Sequence, residues 1–415
     1  MKNIELNILV LIVFSTLAGS VIFNFDISGG GASSDVATHW YLIQKLNTNL
    51  NNLFILEAGK DYRLLNFPLH HIIISRFDLL SNSVENYLNF YFIFSLILPV
   101  IFFLTLKKIH SDINYKKLLA ITLISCLLPN FQAAAVWGNS HITALVFFLL
   151  SLYFLNFNQL SNQKFKKKEI FFCLFFMTLA SYTRQYYVIF FPYLLFKIYS
   201  VEKFKNFNLI FFILIFLAIP GLYHLFNNPL LLLGYKQEVT NFKSSIVIVL
   251  SIICFYFFPL FVCNLNNNIK NLKKTFSINE LIKLIILALF LILICFNFKY
   301  QGNIGGGVFH KLSLLLFENY IILYLTSFMG LFLVNYYTRN KPENLLLMIP
   351  IIFSFSSGFF IFQKYFEPLI FYLFFTQFDK NQIQNILHKN KIIFLSIYYT
   401  IYWIIYALYA LGIVI

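Results

Sequence analysis

SSIVIVLSIICFYFFPLFVC, residues 244–263, is a run of twenty positions without one charged side chain. Wound as an α-helix, such a run is roughly 30 Å long, the thickness of a bilayer's hydrocarbon core. Comparable apolar runs occupy 6–25, 88–106, 118–136, 140–156, 170–182, 186–199, 207–225, 284–298, 319–338, 344–362, 368–378 and 391–413. The pair 170–182 and 186–199 is short and flanks the polar knot Ser181-Tyr182-Thr183-Arg184-Gln185. That pattern predicts two short helices meeting at a buried break, because irregular backbone at membrane depth is tolerated only away from lipid. The fold expected is all-α, a polytopic transmembrane protein of about 11–13 spans forming one integral membrane domain over 1–415.

Composition agrees. Hydrophobic residues make up 60% of the 415 positions and charged residues 11%, and mean hydropathy is +0.76. A water-soluble chain of this length needs more polar surface than that. The net charge of +15 raises nucleic acid as a partner, and the placement of the charges argues against it. Lysines cluster between apolar runs, at 107/108, 116/117, 164–168, 270–274 and 389–391, as in cytoplasmic loops under the positive-inside rule. With the N-terminus inside, 21 of the 31 basic residues fall on the cytoplasmic side and 9 of the 16 acids outside. The apolar stretch after Met1-Lys2-Asn3 is long for a signal peptide and is read as a retained first helix. None of the five cysteines shows CxxC spacing, so neither a zinc site nor a disulfide framework is indicated.

One outer loop stands apart. Residues 26–87 form an extracytoplasmic stretch of about sixty residues that mixes Trp, Tyr, Pro and His, and long ordered loops are commonly functional. Within it Asp35 precedes a helical pattern from Val36, which puts Asp35 and His39 at i and i+4 on one face. A carboxylate beside an imidazole suits general-base work on a hydroxyl; capping of that helix by Ser34 or Asp35 is the structural alternative. Farther on, Arg63 and Asn66-Phe67-Pro68-Leu69-His70-His71 precede a surface helix from Ile72, with Pro68 in its first turn. Adjacent histidines face different ways on a helix, so these two alone make no metal site; they either line a substrate or dock at the interface.

Arg184 is a charge inside an apolar region, a functional signal by default. Its guanidinium matches a phosphate, and Gln185 stands beside it; snorkelling to the interface is the structural reading. On the same side the sequence puts three further turns: Trp137-Gly138-Asn139-Ser140-His141, the glycine-rich 303–311 with His310, and Gln363-Lys364-Tyr365-Phe366-Glu367-Pro368. No metal-ligand cluster is visible, although Asp35 and another acid such as Asp61 are left free to meet in space.

Taken in order, Asp35 with His39 and Gln44, Asn66 to His71, Thr183-Arg184-Gln185, the glycine-rich segment ending in His310, and Tyr365 to Pro368 resemble the GT-C superfamily of membrane glycosyltransferases. The nearest likeness is the α-1,2-glucosyltransferase family that adds the last glucose to the dolichol-linked oligosaccharide. The resemblance implies a polyprenyl-phosphate-linked sugar as donor and a lipid-linked or surface glycan as acceptor, with no other cofactor. It implies Asp35 as the base, Arg184 with Lys364 on the donor phosphate, and Arg63, His39, His70, His71, Gln185 and His310 around the substrates. The chain departs from that family at Val36, where a second acid is usual, and at Phe67-Pro68, where a double proline is usual. The resemblance therefore extends to the superfamily and not to the sugar or linkage. The Asn, Lys, Ile and Phe bias favours a bacterial inner membrane over an endoplasmic reticulum. A secondary transporter or flippase for an anionic or lipid-linked substrate is the rival reading; transporters tend to show internal repeats and midplane charges, and this chain shows no clear repeat.

Overall fold

In the computed structural model the described residues are 3–28, 31–50, 67–155, 165–203, 207–227, 242–275, 277–296, 298–300, 305–356 and 361–413. Among them the structure is all-helical, without a strand. The chain separates into two compact units, residues 1–236 with 399–415, and residues 237–398.

The first unit carries α1 (Asn3–Ile22), α2 (Gly31–Thr48), α3 (Leu69–Ser75), α4 (Asp78–Ser81), α5 (Val84–Ser95), α6 (Ile97–Ile109), α7 (Tyr115–Cys126), α8 (Pro129–Val136), α9 (His141–Leu155), α10 (Lys167–Thr183), α11 (Phe191–Glu202) and α12 (Phe207–Asn227). The second carries α13 (Phe242–Val262), α14 (Leu265–Thr275), α15 (Ile278–Cys295), α16 (Gly307–Phe317), α17 (Ile321–Thr338), α18 (Leu345–Phe355), α19 (Leu369–Gln377) and α20 (Lys380–Ile386). The last helix, α21 (Lys389–Ala410), begins in the second unit and ends in the first.

Where they are described, the apolar runs are helical, some as two helices, and among the described residues six helical stretches are long and apolar enough to cross a membrane: 4–22, 84–109, 207–227, 242–262, 321–338 and 389–410. The surfaces of these helices fit lipid. In α5 the buried stripe is Tyr87, Tyr91 and Ser95, all hydroxyl side chains spaced i, i+4, i+8, while Phe90 and Ile93 face outward. On α12 the exposed residues include Phe211, Phe212, Phe216, Ile219 and Tyr223. A broad apolar exterior of this kind is what a hydrocarbon solvent selects. The fold is consistent with an integral multi-pass membrane protein.

One expected span is broken. The run 118–136 forms α7 and α8, bent by 69° at Leu127–Leu128. Pro129 opens α8 and leaves Leu128 extended, as a residue before proline prefers. Gln132 of α8 reaches back from its Nε2 to the Cys126 carbonyl at 2.9 Å, which meets a carbonyl the bend has freed. The short pair behaves as the sequence predicts: α10 stops at Thr183, Arg184 is extended (φ −144°, ψ 107°), and a 3-10 helix over Gln185–Phe190 leads into α11.

In the second unit α13 is buried through most of its length and packs against α17. Ser327 donates its hydroxyl to the Val247 carbonyl at 2.6 Å. At Gly330 an added Cβ would lie 2.0 Å from the Leu250 carbonyl oxygen. Close backbone approach at a small residue, joined by an interhelical hydroxyl bond, is the membrane mode of helix pairing.

Candidate active site

The helix that carries Asp35 begins earlier than its sequence predicts. α2 starts at Gly31, and its first turn is capped from behind by Asp26 and Ser28, not by Ser34 or Asp35. The Asp26 carboxylate accepts from the Ser28 amide at 2.9 Å and the Ser33 amide at 2.7 Å. The Ser28 hydroxyl accepts from the Ala32 amide at 2.8 Å. Capping from outside the helix is as effective as capping from its first residue, because all that is required is an acceptor for the orphan N–H groups. Asp35 is thereby left half-buried inside α2, with His39 buried one turn later on the same face.

Opposite Asp35 stands the turn between α8 and α9. The Trp137 and Asn139 amides donate to Ala133 and Ala134 at 3.0 Å each. Gly138 has φ +63°, and a Cβ there would meet the Tyr87 ring at 2.8 Å. Tyr87 donates its hydroxyl to the Gly138 carbonyl, and Tyr91 donates to the Asn139 carbonyl at 2.6 Å. With these backbone groups tied down, the turn holds out the Asn139 amide. Its Oδ1 accepts from the His141 amide at 3.2 Å and from Arg184 Nη2 at 3.0 Å. Its Nδ2 donates to Asp35 Oδ2 at 3.2 Å. Two obligate donors on one side and a carboxylate on the other fix which way the amide points.

Arg184 is half-buried at the break after α10, its own amide tied to the Ala180 carbonyl at 2.8 Å. Its Nε is buried and has no hydrogen-bond partner among the described residues. A permanent cation that keeps an unused donor in a low-dielectric setting is suited to an anion.

Histidines and hydroxyls line the rest. α3 begins at Leu69, three residues before the expected Ile72, and so takes His70 and His71 into its first turn, with Pro68 at its N-cap. His70 Nε2 lies 3.1 Å from the Tyr87 hydroxyl and Nδ1 2.9 Å from Thr143 Oγ1. Tyr87 spends its single proton on the Gly138 carbonyl, so His70 donates from Nε2. A neutral imidazole then accepts at Nδ1 from the Thr143 hydroxyl. Burial, and then the charge of Arg184, push its pKa down to about 3, in agreement. His71 turns the other way, its Nε2 2.8 Å from Nδ1 of His39, with ring centroids 5.1 Å apart. One proton lies between those two nitrogens. His141 Nδ1 lies 2.8 Å from the Tyr186 hydroxyl.

The first unit thus brings Asp35, His39, His70, His71 and Arg184 into one neighbourhood. Gln185 is exposed beside it. Gln44 donates to the Ser81 carbonyl at 2.5 Å and so ties α2 to α4. Arg63, Asp61 and Asn66 lie outside the described residues. His310 and Lys364 belong to the second unit. There His310 is buried between Tyr300 and Tyr320, with ring centroids at 5.2 and 5.8 Å. Its ring nitrogens have no hydrogen-bond partner among the described residues, and burial, then Lys311, push its pKa down to about 4. Lys364 is half-buried over the Phe362 ring. Beside it Gln363 and Glu367 both bond the Tyr256 hydroxyl, at 3.2 and 2.6 Å. Among the described residues no group of three His, Cys, Asp or Glu is arranged to hold a metal ion.

Sequence reasoning passed over Tyr87, Tyr91, Thr143 and the linking role of Asn139. The i, i+4 tyrosines in an otherwise apolar helix were the available signal. Compared with known proteins, the chain matches no family model, no curated protein and no solved structure.

Proposed function

We propose that this protein is a membrane glycosyltransferase that moves a sugar from a polyprenyl-phosphate donor to a hydroxyl of a lipid-linked or cell-surface glycan. The observation that carries the reading is the shared amide of Asn139, which couples a half-buried carboxylate to a half-buried guanidinium. Transfer of a sugar from a phosphate needs both groups close together and separately held. Asp35 takes the proton of the acceptor hydroxyl as its oxygen attacks the anomeric carbon. The bond from that carbon to the phosphate oxygen breaks, and Arg184 meets the charge of the departing polyprenyl phosphate. A direct Asp35–Arg184 ion pair would occupy both groups with each other. An intervening amide keeps each oriented, and the guanidinium keeps a buried Nε–H with no partner among the described residues.

The resemblance of the motifs to the GT-C superfamily supports the same assignment, as does the capping of α2 by Asp26 and Ser28 instead of Asp35. In this reading the shorter apolar helices join the six long ones in a topology of about 11–13 spans. The site works at the extracytoplasmic face of a bacterial inner membrane, where the acidic first loop lies.

The test is transfer of radiolabelled sugar from polyprenyl-phosphate donors by the purified protein, wild type beside Asp35→Asn. Transfer lost in the variant is the expected result. Absence of transfer from every donor tried, with substrate flux in proteoliposomes, would replace the enzyme by a transporter.

A further inference from the structure

The apolar cluster beneath the site holds two indoles that differ in one respect. Trp137 and Trp403 both pack against the cluster formed by Ile27, Ala32, Ala133 and Ala407. Trp403 donates its Nε1–H to Gln132 Oε1 at 2.8 Å. Trp137 Nε1 is buried and has no hydrogen-bond partner among the described residues. An indole N–H only donates, and a buried donor without an acceptor is costly to keep. Phenylalanine would pack on the same alanines without that cost.

The position of this donor is informative. The cluster that Trp137 packs against includes Ala32, which lies three residues before Asp35 on α2. Two residues after Trp137, Asn139 bonds Asp35 itself. The turn at 137–139 is thus joined to the helix that bears the carboxylate both through this cluster and through the Asn139 amide. Arg184 meets Asn139 through the amide oxygen, on the other side from Asp35. The unused indole donor therefore belongs to the same turn as the amide that links Asp35 to Arg184.

We propose that Trp137 reads the acceptor: its Nε1–H donates to an oxygen neighbouring the hydroxyl that Asp35 deprotonates. The acceptor class follows. A simple alcohol has no second oxygen at that reach, whereas a sugar ring with vicinal hydroxyls does. The acceptor is a pyranoside-like diol, and Trp137 is a specificity-determining residue. The inference rests on the glycosyltransferase reading for its chemistry and on the orphan donor for its location.

Two measurements on the detergent-purified full chain separate it from that reading. The chain has three tryptophans, so a 15N–1H spectrum of the indoles holds three signals, and Trp137→Phe identifies one of them. Methyl hexopyranosides should move that signal downfield, and cyclohexanol, with one hydroxyl, should leave it in place. In the transfer assay Trp137→Phe should raise the KM for a methyl hexopyranoside about tenfold, the scale of one hydrogen bond, with little change for cyclohexanol. Its melting temperature should stay close to wild type, since the ring still fills the cluster. An indole signal unmoved by every pyranoside, or a Trp137→Phe variant with wild-type acceptor KM, overturns the proposal. A shifted signal in a protein that transfers no sugar keeps the sugar contact and overturns the transferase.

Discussion

Asp35 and Arg184 are joined through a single side-chain amide, that of Asn139, which donates to the carboxylate at 3.2 Å and accepts from the guanidinium at 3.0 Å. The two charges are held at a fixed remove by a neutral group whose backbone is locked by two buried tyrosines. Rigid support of that kind is what a reacting constellation requires, since small displacements of catalytic groups are expensive in rate.

Asp35→Asn should abolish turnover with little loss of stability, because capping of α2 falls to other residues. Asp26→Ala should do the reverse: a loss of about 1 kcal/mol, as for other lost caps, with turnover retained. Thermal unfolding and transfer assays on the two variants decide it; equal activity in Asp35→Asn and wild type removes the proposed base.

Arg184→Lys keeps the charge and loses the planar fork. Donor affinity, measured as binding of polyprenyl phosphate, should fall about tenfold or more. Unchanged affinity would show that no phosphate meets this guanidinium.

Gly138→Ala forces a side chain into left-handed backbone and against the Tyr87 ring. The strain alone is roughly 1–3 kcal/mol. Displacing Tyr87 also frees the Gly138 carbonyl and loosens Asn139, so melting temperature and turnover should fall together. A variant as stable and active as wild type would mean the turn is not rigid.

Acid should destabilise the fold through its buried imidazoles. His70 and His310 have pKa values pushed from 6.5 down to about 3 and about 4, so the unfolded chain binds more protons between those values and 6.5. Stability is then fully present above about 6.5 and is lost as pH falls, toward 4 for His310 and toward 3 for His70. Unfolding midpoints followed from pH 7 to pH 4 should decline, and His70→Gln should flatten part of the slope. A flat profile in the wild type would contradict neutral burial.

Much of the architecture was legible from local pattern. The apolar runs are helical where they are described, and the break at Arg184 followed from a charged, polar knot between two runs too short to cross alone. Boundaries were less legible. α2 begins at Gly31 because Asp26 and Ser28 supply acceptors from a turn outside the helix, and α7 bends because Pro129 opens a new helix. Neither device carries a hydrophobic period, so an apolar count passes over both.

Site chemistry divides along the same line. The sequence by itself determined the lipid-suited helices, the cost of placing Arg184 among them, and the i, i+4 relation of Asp35 and His39, since each depends only on near neighbours along the chain. Only the tertiary structure decided that Asn139 joins residues 35 and 184, that His39 meets His71, and that Tyr87 fixes the tautomer of His70. Those contacts span from 17 to 104 positions of sequence. Hydrogen bonds at such separations are set by how helices pack, and a tyrosine or asparagine within an apolar run has the same sequence signature whether it faces a partner or a lipid.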